Sequence, residues 1–251
     1  KPGSTARREP DILTDTTYGD AVSSNSERGI EQIKSVFGFS GTGGEVLNSF
    51  ANMLVTDYEA NYASIKKYGG FYIGRYEITG EITSPTVAKE ETVIVSQNWY
   101  NLYKACSSIV NTASAKSTMI QGTQWDRVLE WLVETGMESS KVYNDSSKWG
   151  NYTNYNTANG YTEGTPGYVA GAGTKVFPAG SSKNWKANNI YDLAGNARDW
   201  TQEVGDTDNR VYRGGYYGFS GSFSPASYRG NVSPYNSPAS YSARPALYVG
   251  L

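Results

Sequence analysis

Residues 191–203 read YDLAGNARDWTQE, and Arg213-Gly214-Gly215 opens thirteen residues after Trp200. Gly195-Asn196 punctuates the first stretch as a turn, and the residues around it alternate apolar and polar in short pieces. RVYRGGYYG (210–218) and ARPALYVG (243–250) complete the final third with strand-like runs bounded by glycine. Short strands of this kind, placed after helical segments, define a mixed α+β domain dominated by loops.

Moving outward, the helical signals lie earlier in the chain. From Gly44, Val46, Leu47, Phe50, Met53, Leu54 and Tyr58 recur at three- and four-residue steps, and Gly69-Gly70 closes that helix. FYIGRYEIT (71–79) alternates as a strand. A core-facing Glu77 there needs a partner, either Arg75 or a backbone amide. A second helix is expected over about 97–112, with Trp99, Leu102, Cys106 and Ile109 on one face. A third starts at Thr123, where Thr123 and Asp126 fit a capping box ahead of Trp125, Val128, Leu129, Leu132 and Val133. Residues 137–190 are rich in Asn, Tyr, Gly, Ser and Thr without helical period, too long a stretch for an idle loop. The expected organisation is a polar arm or tether over 1–43, an N-terminal helix over 44–69 and a single domain over 70–251.

The composition excludes whole classes of chemistry. The 251 residues include no histidine and one cysteine, against 21 tyrosines, 28 glycines and 28 serines. Without histidine there is no Ser-His-Asp or Cys-His nucleophile and no HExxH zinc site. A lone Cys106 excludes internal disulfides and CxxC redox chemistry, and in line with Trp99, Leu102 and Ile109 it reads as a small buried hydrophobe. A net charge of −2 without basic runs gives no footprint for nucleic acid, and no stretch is apolar enough to span a bilayer. Gly41, Gly43 and Gly44 mark a helix start, and Gly171–Lys175 lacks phosphate-loop spacing. Glu130 and Glu134 occupy a solvated helix face, and Asn151-Tyr152-Thr153 matches a glycosylation sequon. The Tyr, Gly and Ser excess describes a contact surface, since Tyr supplies rigid area while Ser and Gly supply adaptable polar backbone.

The order of the segments resembles the formylglycine-generating enzyme (sulfatase-modifying factor) family. Tyr76-Glu77-Ile78-Thr79 matches its opening strand. Residues 191–200 match its Gly-Asn turn with Trp, and Arg213-Gly214-Gly215-Tyr216-Tyr217 and Ser242-Ala243-Arg244 match its closing strands. The resemblance covers about 70–251. It implies a C-type-lectin-like fold with a small twisted antiparallel sheet, two flanking helices and much ordered loop. Gly195, Asn196, Trp200, Arg213, Gly214, Gly215 and Arg244 are then scaffold. The family's two active-site cysteines fall near Phe219 and Ser224, and neither is Cys, so the catalytic part does not carry over. No metal site or cofactor is expected. A structural calcium at Asn196 and Asp199 is the weaker alternative, next to a plain structural turn.

The same fold displays the variable region of proteins diversified by retroelements, including phage tropism determinants, and this chain is similar to those. From Gly214 to Leu251 the chain lacks Lys, Glu, Gln, Trp and Met. Adenine-directed mutation of Asn codons ending in a pyrimidine cannot reach those five. The variable region is placed at 214–242, with Tyr216, Tyr217, Phe219, Ser220, Ser222, Tyr228, Asn231, Ser233, Tyr235, Asn236, Tyr241 and Ser242 as ligand-binding positions. Arg229, Pro238 and Pro245 join the fixed frame between and beyond them. The expected protein is non-enzymatic and displayed on a bacterial surface or phage virion. It recognises an unknown protein or cell-surface ligand, with anchoring or oligomerisation through its N-terminal region. The alternatives are a divergent formylglycine-generating-family enzyme and a structural virion or pilus subunit.

Overall fold

The computed structural model describes residues 26–206 and 209–250, so the first 25 residues of the expected arm lie outside the described residues. In the described part of the expected arm, Ser26–Phe37 forms a helix (α1), with Glu27 in its first turn and Lys34 in its last. Each charge opposes the helix dipole. Ile33 and Val36 are buried in the main core, so this part of the expected tether is packed structure.

Helix α2, Gly43–Tyr68, starts at a capping box. The Glu45 amide donates to Thr42 Oγ1, and the Thr42 amide donates to the Glu45 carboxylate. That carboxylate occupies the positive helix end. The amide of left-handed Gly69 donates to the Ile65 carbonyl and ends the helix, as the sequence predicted. Val46, Phe50 and Leu54 form its buried stripe. Helix α3, Trp99–Ser108, presents Trp99, Leu102 and Cys106 to the same core. Helix α4, Gly122–Glu134, begins one residue before the expected Thr123. Its capping box is Gln121 with Gln124, while Asp126 is engaged with Arg213. Two short helices follow, α5 at Ser139–Tyr143 and α6 at Tyr155–Ala158.

The strands are short and form two main sheets. The expected strand over 71–79 is broken into β1, Tyr72–Ile73, and β2, Thr79–Glu81, which makes a hairpin with β3, Ser84–Thr86. The break sits at Gly74, where a Cβ would lie 3.0 Å from the Pro245 ring. Strand β1 pairs antiparallel with β11, Pro245–Val249, which pairs antiparallel with β4, Ala115–Met119. A small hairpin joins β5, Lys186–Ala187, to β6, Ile190–Tyr191.

The second sheet runs in the order β10-β7-β8-β9. Its strands are β7, Arg198–Asp206; β8, Asn209–Arg213; β9, Arg229–Val232; and β10, Tyr241–Ala243. The β10–β7 pair is parallel, where an antiparallel sheet was expected, and it sets Tyr241 beside Arg198. Between the sheets and helices, Trp99, Trp200 and Phe50 anchor one core, while Trp125, Leu129, Tyr152 and Leu193 anchor another. Each buried aromatic removes 150–250 Å² from water, so these few residues supply much of the packing energy of a loop-rich chain. The architecture is mixed α+β with small sheets, consistent with the C-type-lectin-like fold expected from the motifs.

Candidate ligand-binding face

The turn at 191–200 is held by its side chains. Gly195 has φ 72° and Asn196 φ 59°, and a Cβ on Gly195 would sit 2.3 Å from the Asn151 carbonyl oxygen. Only glycine fits that approach. Asn196 is fully buried. Its Oδ1 accepts from Asn151 Nδ2 at 3.0 Å and from the Phe177 amide at 2.9 Å, while its Nδ2 donates to Glu77 Oε2 at 2.7 Å. The Ala197 amide donates to Glu77 Oε1 at 3.1 Å. Glu77 therefore meets a backbone amide, one of its two expected partners. Arg75 turns instead to the Asn189 carbonyl.

Arg244 closes this network, donating to Asp199 Oδ2 at 3.2 Å and to the carbonyls of Gly74 and Tyr191 at 2.9 and 2.8 Å. One guanidinium faces three buried carboxyls. Burial, then the neighbouring Asp192 and Asp199, pushes Glu77 well above the usual carboxylate range. Burial likewise raises Asp192 to about 7 and Asp199 to about 6, with Arg244 opposing both rises. Both lone-pair directions of Asn196 Oδ1 are taken by N–H donors, and Asp199 Oδ2 is taken by Arg244. Among the described residues no group of three His, Cys, Asp or Glu could hold a metal.

The following segment, 214–236, is held by its backbone. Gly214 and Gly215 have φ 86° and 72°, and a Cβ on Gly215 would lie 2.1 Å from the Ser224 carbonyl oxygen. The Tyr217 amide donates to the Asn196 carbonyl at 3.1 Å. The Phe219 and Gly221 carbonyls accept from the Thr153 and Ser146 amides, each at 3.0 Å. The Ala226 carbonyl accepts from Trp125 Nε1 at 3.0 Å, its amide donates to Ser146 Oγ at 2.9 Å, and the Pro234 carbonyl accepts from the Trp99 amide at 2.9 Å. The irregular stretch 137–190 supplies several of these partners, so its 143–154 segment acts as a bracket for the loop above it.

With the backbone occupied, the side chains face outward. Tyr216, Tyr217, Phe219, Ser220, Ser222, Tyr228, Asn231, Ser233, Tyr235 and Asn236 are all half-buried or exposed. Tyr216 packs edge-on against Tyr217 and Phe219, and Phe219 against Phe223, which is 63% exposed and was not among the expected positions. Ser220 Oγ and Ser222 Oγ lie 3.1 Å apart. Tyr228 stacks on Tyr212. Tyr235 stands apart from this group, under Arg28 of α1 at 4.7 Å, and Ser233 reaches Asn209.

Tyr241 and Ser242 correct the expectation. They lie on β10, 6% and 0% exposed, with Tyr241 packed on Trp200 and Tyr212. A parallel partner strand and a tryptophan cover them, so they belong with the frame. The expected scaffold residues are structural in location. Arg213 pairs with Asp126, Arg229 with Glu203, and the Pro245 and Pro238 carbonyls accept from the Gly74 and Tyr241 amides. Trp200 is fully buried.

Arg198 was missed by sequence reasoning and sits inside the aromatic group. Its guanidinium carbon lies 3.8 Å from the Tyr216 ring centre, 5.0 Å from Tyr212, 5.1 Å from Tyr241 and 5.7 Å from Phe219. An arginine two residues after Asn196 carries no spacing signal that would have marked it.

The other sequence motifs resolve into structure. Cys106 is buried and its thiol is pushed well up by burial, the reverse of what a nucleophile needs. Asn151 is fully buried with its amide group hydrogen-bonded to Lys175, Asn196 and Gly173, which leaves no access for a glycan. Glu130 and Glu134 bind Arg127 on an exposed helix face. Among the described residues, no helix is long and apolar enough to cross a membrane.

No protein-family profile matches the chain, and no curated protein sequence matches it significantly. Solved structures similar to it include Treponema denticola variable protein 1, at 18% identity and TM-score 0.36, covering 74% of this chain and 66% of that one. CarF matches at 12% identity and TM-score 0.42, covering 61% of this chain and 66% of its own. PvdO from Pseudomonas aeruginosa matches at 16% identity and TM-score 0.40, covering 74% and 75%. The chain spans just under two thirds of the length of the first two.

Proposed function

We propose that this chain is a non-catalytic ligand-binding protein whose aromatic face is varied by a diversity-generating retroelement. The observation that carries the reading is the division of labour in 214–236: main-chain atoms fix the loop, and ten of the twelve candidate side chains reach the surface. Such a loop keeps its shape while its side chains change, as a binding surface under repeated selection requires. The restricted alphabet after Gly214 supports the same mechanism, as does a tyrosine-rich face with a serine and asparagine rim. Its partner is an unidentified protein or cell-surface ligand, met from a bacterial surface or a phage tail. The positions where the resembling enzymes keep cysteines hold Phe219 and Ser224, and activity on a sulfatase-type cysteine peptide is expected to be nil.

The test is the locus itself. A nearby template repeat should differ from codons 214–242 at adenines and almost nowhere else. A locus with neither template repeat nor reverse transcriptase contradicts the diversified reading.

A further inference from the structure

Three arginines near the candidate face each hold a carboxylate: Arg213 with Asp126, Arg229 with Glu203 and Arg244 with Asp199. Arg198 holds none among the described residues. Its surroundings are the rings of Tyr212, Tyr216, Phe219 and Tyr241, which attract a cation through their faces but leave its charge uncancelled. Its Nε is buried without an acceptor. Nη1 meets only Ser240 Oγ, at 3.5 Å, and Nη2 has no partner among the described residues and is not buried. A guanidinium that is flanked by rings, unpaired and open at one end has its hydrogen-bonding capacity left over for something else.

We infer that Arg198 is a constant anchor for a carboxylate of the ligand, an Asp or Glu side chain or a chain-terminal carboxylate of a protein partner. The inference rests on the proposed binding face and deepens it. Arg198 lies on β7, outside the 214–242 segment, so it persists while Tyr216 and Phe219 around it change. A carboxylate fits the open Nη end of the guanidinium, and the rings beside it strengthen the pair by limiting its contact with water. A phosphate, with more charge and more oxygens to satisfy, would call for further cations, and the neighbouring arginines are already paired. The variable rings then choose among acidic ligands, and the constant charge supplies the common element.

The test is selection of binders from a random peptide library displayed on phage, with the full chain as target. Selected peptides should be enriched in Asp or Glu, and changing that acid to its amide should weaken binding at least tenfold. Arg198→Gln should weaken binding by the same factor, with Arg198→Lys retaining part of it and thermal melting of both variants within a few degrees of the parent. The acid-to-amide change in the peptide needs no protein variant, so a folding defect in Arg198→Gln leaves the test intact. Neutral peptides that ignore Arg198→Gln yet are lost on combining Tyr216→Ser with Tyr217→Ser overturn the carboxylate anchor and leave the binding face standing. Peptides indifferent to all of these substitutions overturn both. A methyl glucuronide that binds more tightly than the acidic peptides overturns the choice of a protein ligand.

Discussion

The turn at 191–200 and the loop at 214–236 are neighbours joined by main-chain hydrogen bonds, yet they are built on opposite plans. In the turn, the Asn196 side chain and the Glu77 and Arg244 side chains make the structural bonds, and each is buried. In the loop, main-chain carbonyls and amides make most of them, and the ten candidate side chains reach the surface. A bond made by a side chain fixes the residue type; a bond made by the backbone leaves it open. The difference teaches where this chain can change its sequence and where it cannot.

The sharpest way to break the contrast is at Arg244. Arg244→Met removes the cation from three buried carboxyls and is expected to cost about 3–5 kcal/mol, read by urea unfolding. An effect under 1 kcal/mol would show that the turn does not depend on its side chains. The same cluster sets an unusual pH response. Glu77, Asp192 and Asp199 all have raised pKa values in the folded state, so that state binds more protons than the unfolded chain. The contribution of Asp192 and Asp199 is present below the unfolded carboxylate range and is lost as pH rises through about 6 to 7, and Glu77 acts in the same direction. Stability should therefore climb as pH falls from 8 to 5, by up to about 1.4 kcal/mol per pH unit for each proton taken up. Asp192→Asn should flatten that slope, and an unchanged slope would remove Asp192 from the account.

Gly215→Ala forces a side chain against the Ser224 carbonyl in a left-handed conformation. It should cost about 1–3 kcal/mol although it lies in the variable segment, because this residue serves the loop's backbone. The smallest effects belong to the outward side chains. Tyr217→Ser and Ser222→Tyr should each move stability by within about 0.5 kcal/mol. A larger loss at either would mean that the loop too is held by its side chains.

Much of the frame was legible from the sequence because its signals are periodic. The α2 stripe of Val46, Phe50 and Leu54 and its glycine stop follow from spacing alone, and so does the α4 stripe of Trp125, Leu129 and Leu132. Glu77 was marked as a buried charge in need of a partner, but its real partners lie 119 and 120 residues away and leave no trace in local pattern. Residues 71–73 alternate in burial, but Tyr76, Glu77, Ile78 and Thr79 are buried in succession, and the stretch splits into β1 and β2 with Gly74 packed on Pro245. The region 26–37 reads as polar because most of a surface helix is polar, and Ile33 and Val36, with Ile30 and Phe37 packed beside them, dock it.

The candidate face was legible as composition and less so as geometry. Tyrosine and serine are equally at home under a strand or on a loop, so nothing in the segment separates Tyr241 and Ser242 from the ten that reach the surface. Phe223 was passed over between two serines, and Arg198 acquires its meaning only when β7, β8 and β10 bring Tyr212 and Tyr241 beside it.

The most direct measurement is a paired randomisation of the two regions, scored for folded protein by resistance to proteolysis. One library varies Tyr216, Tyr217, Phe219, Ser220, Ser222, Tyr228, Asn231, Ser233, Tyr235 and Asn236 together, and the other varies ten residues drawn from 191–203. The account predicts that most members of the first library fold and nearly none of the second. Equal survival in the two libraries, or collapse of the first, would contradict it.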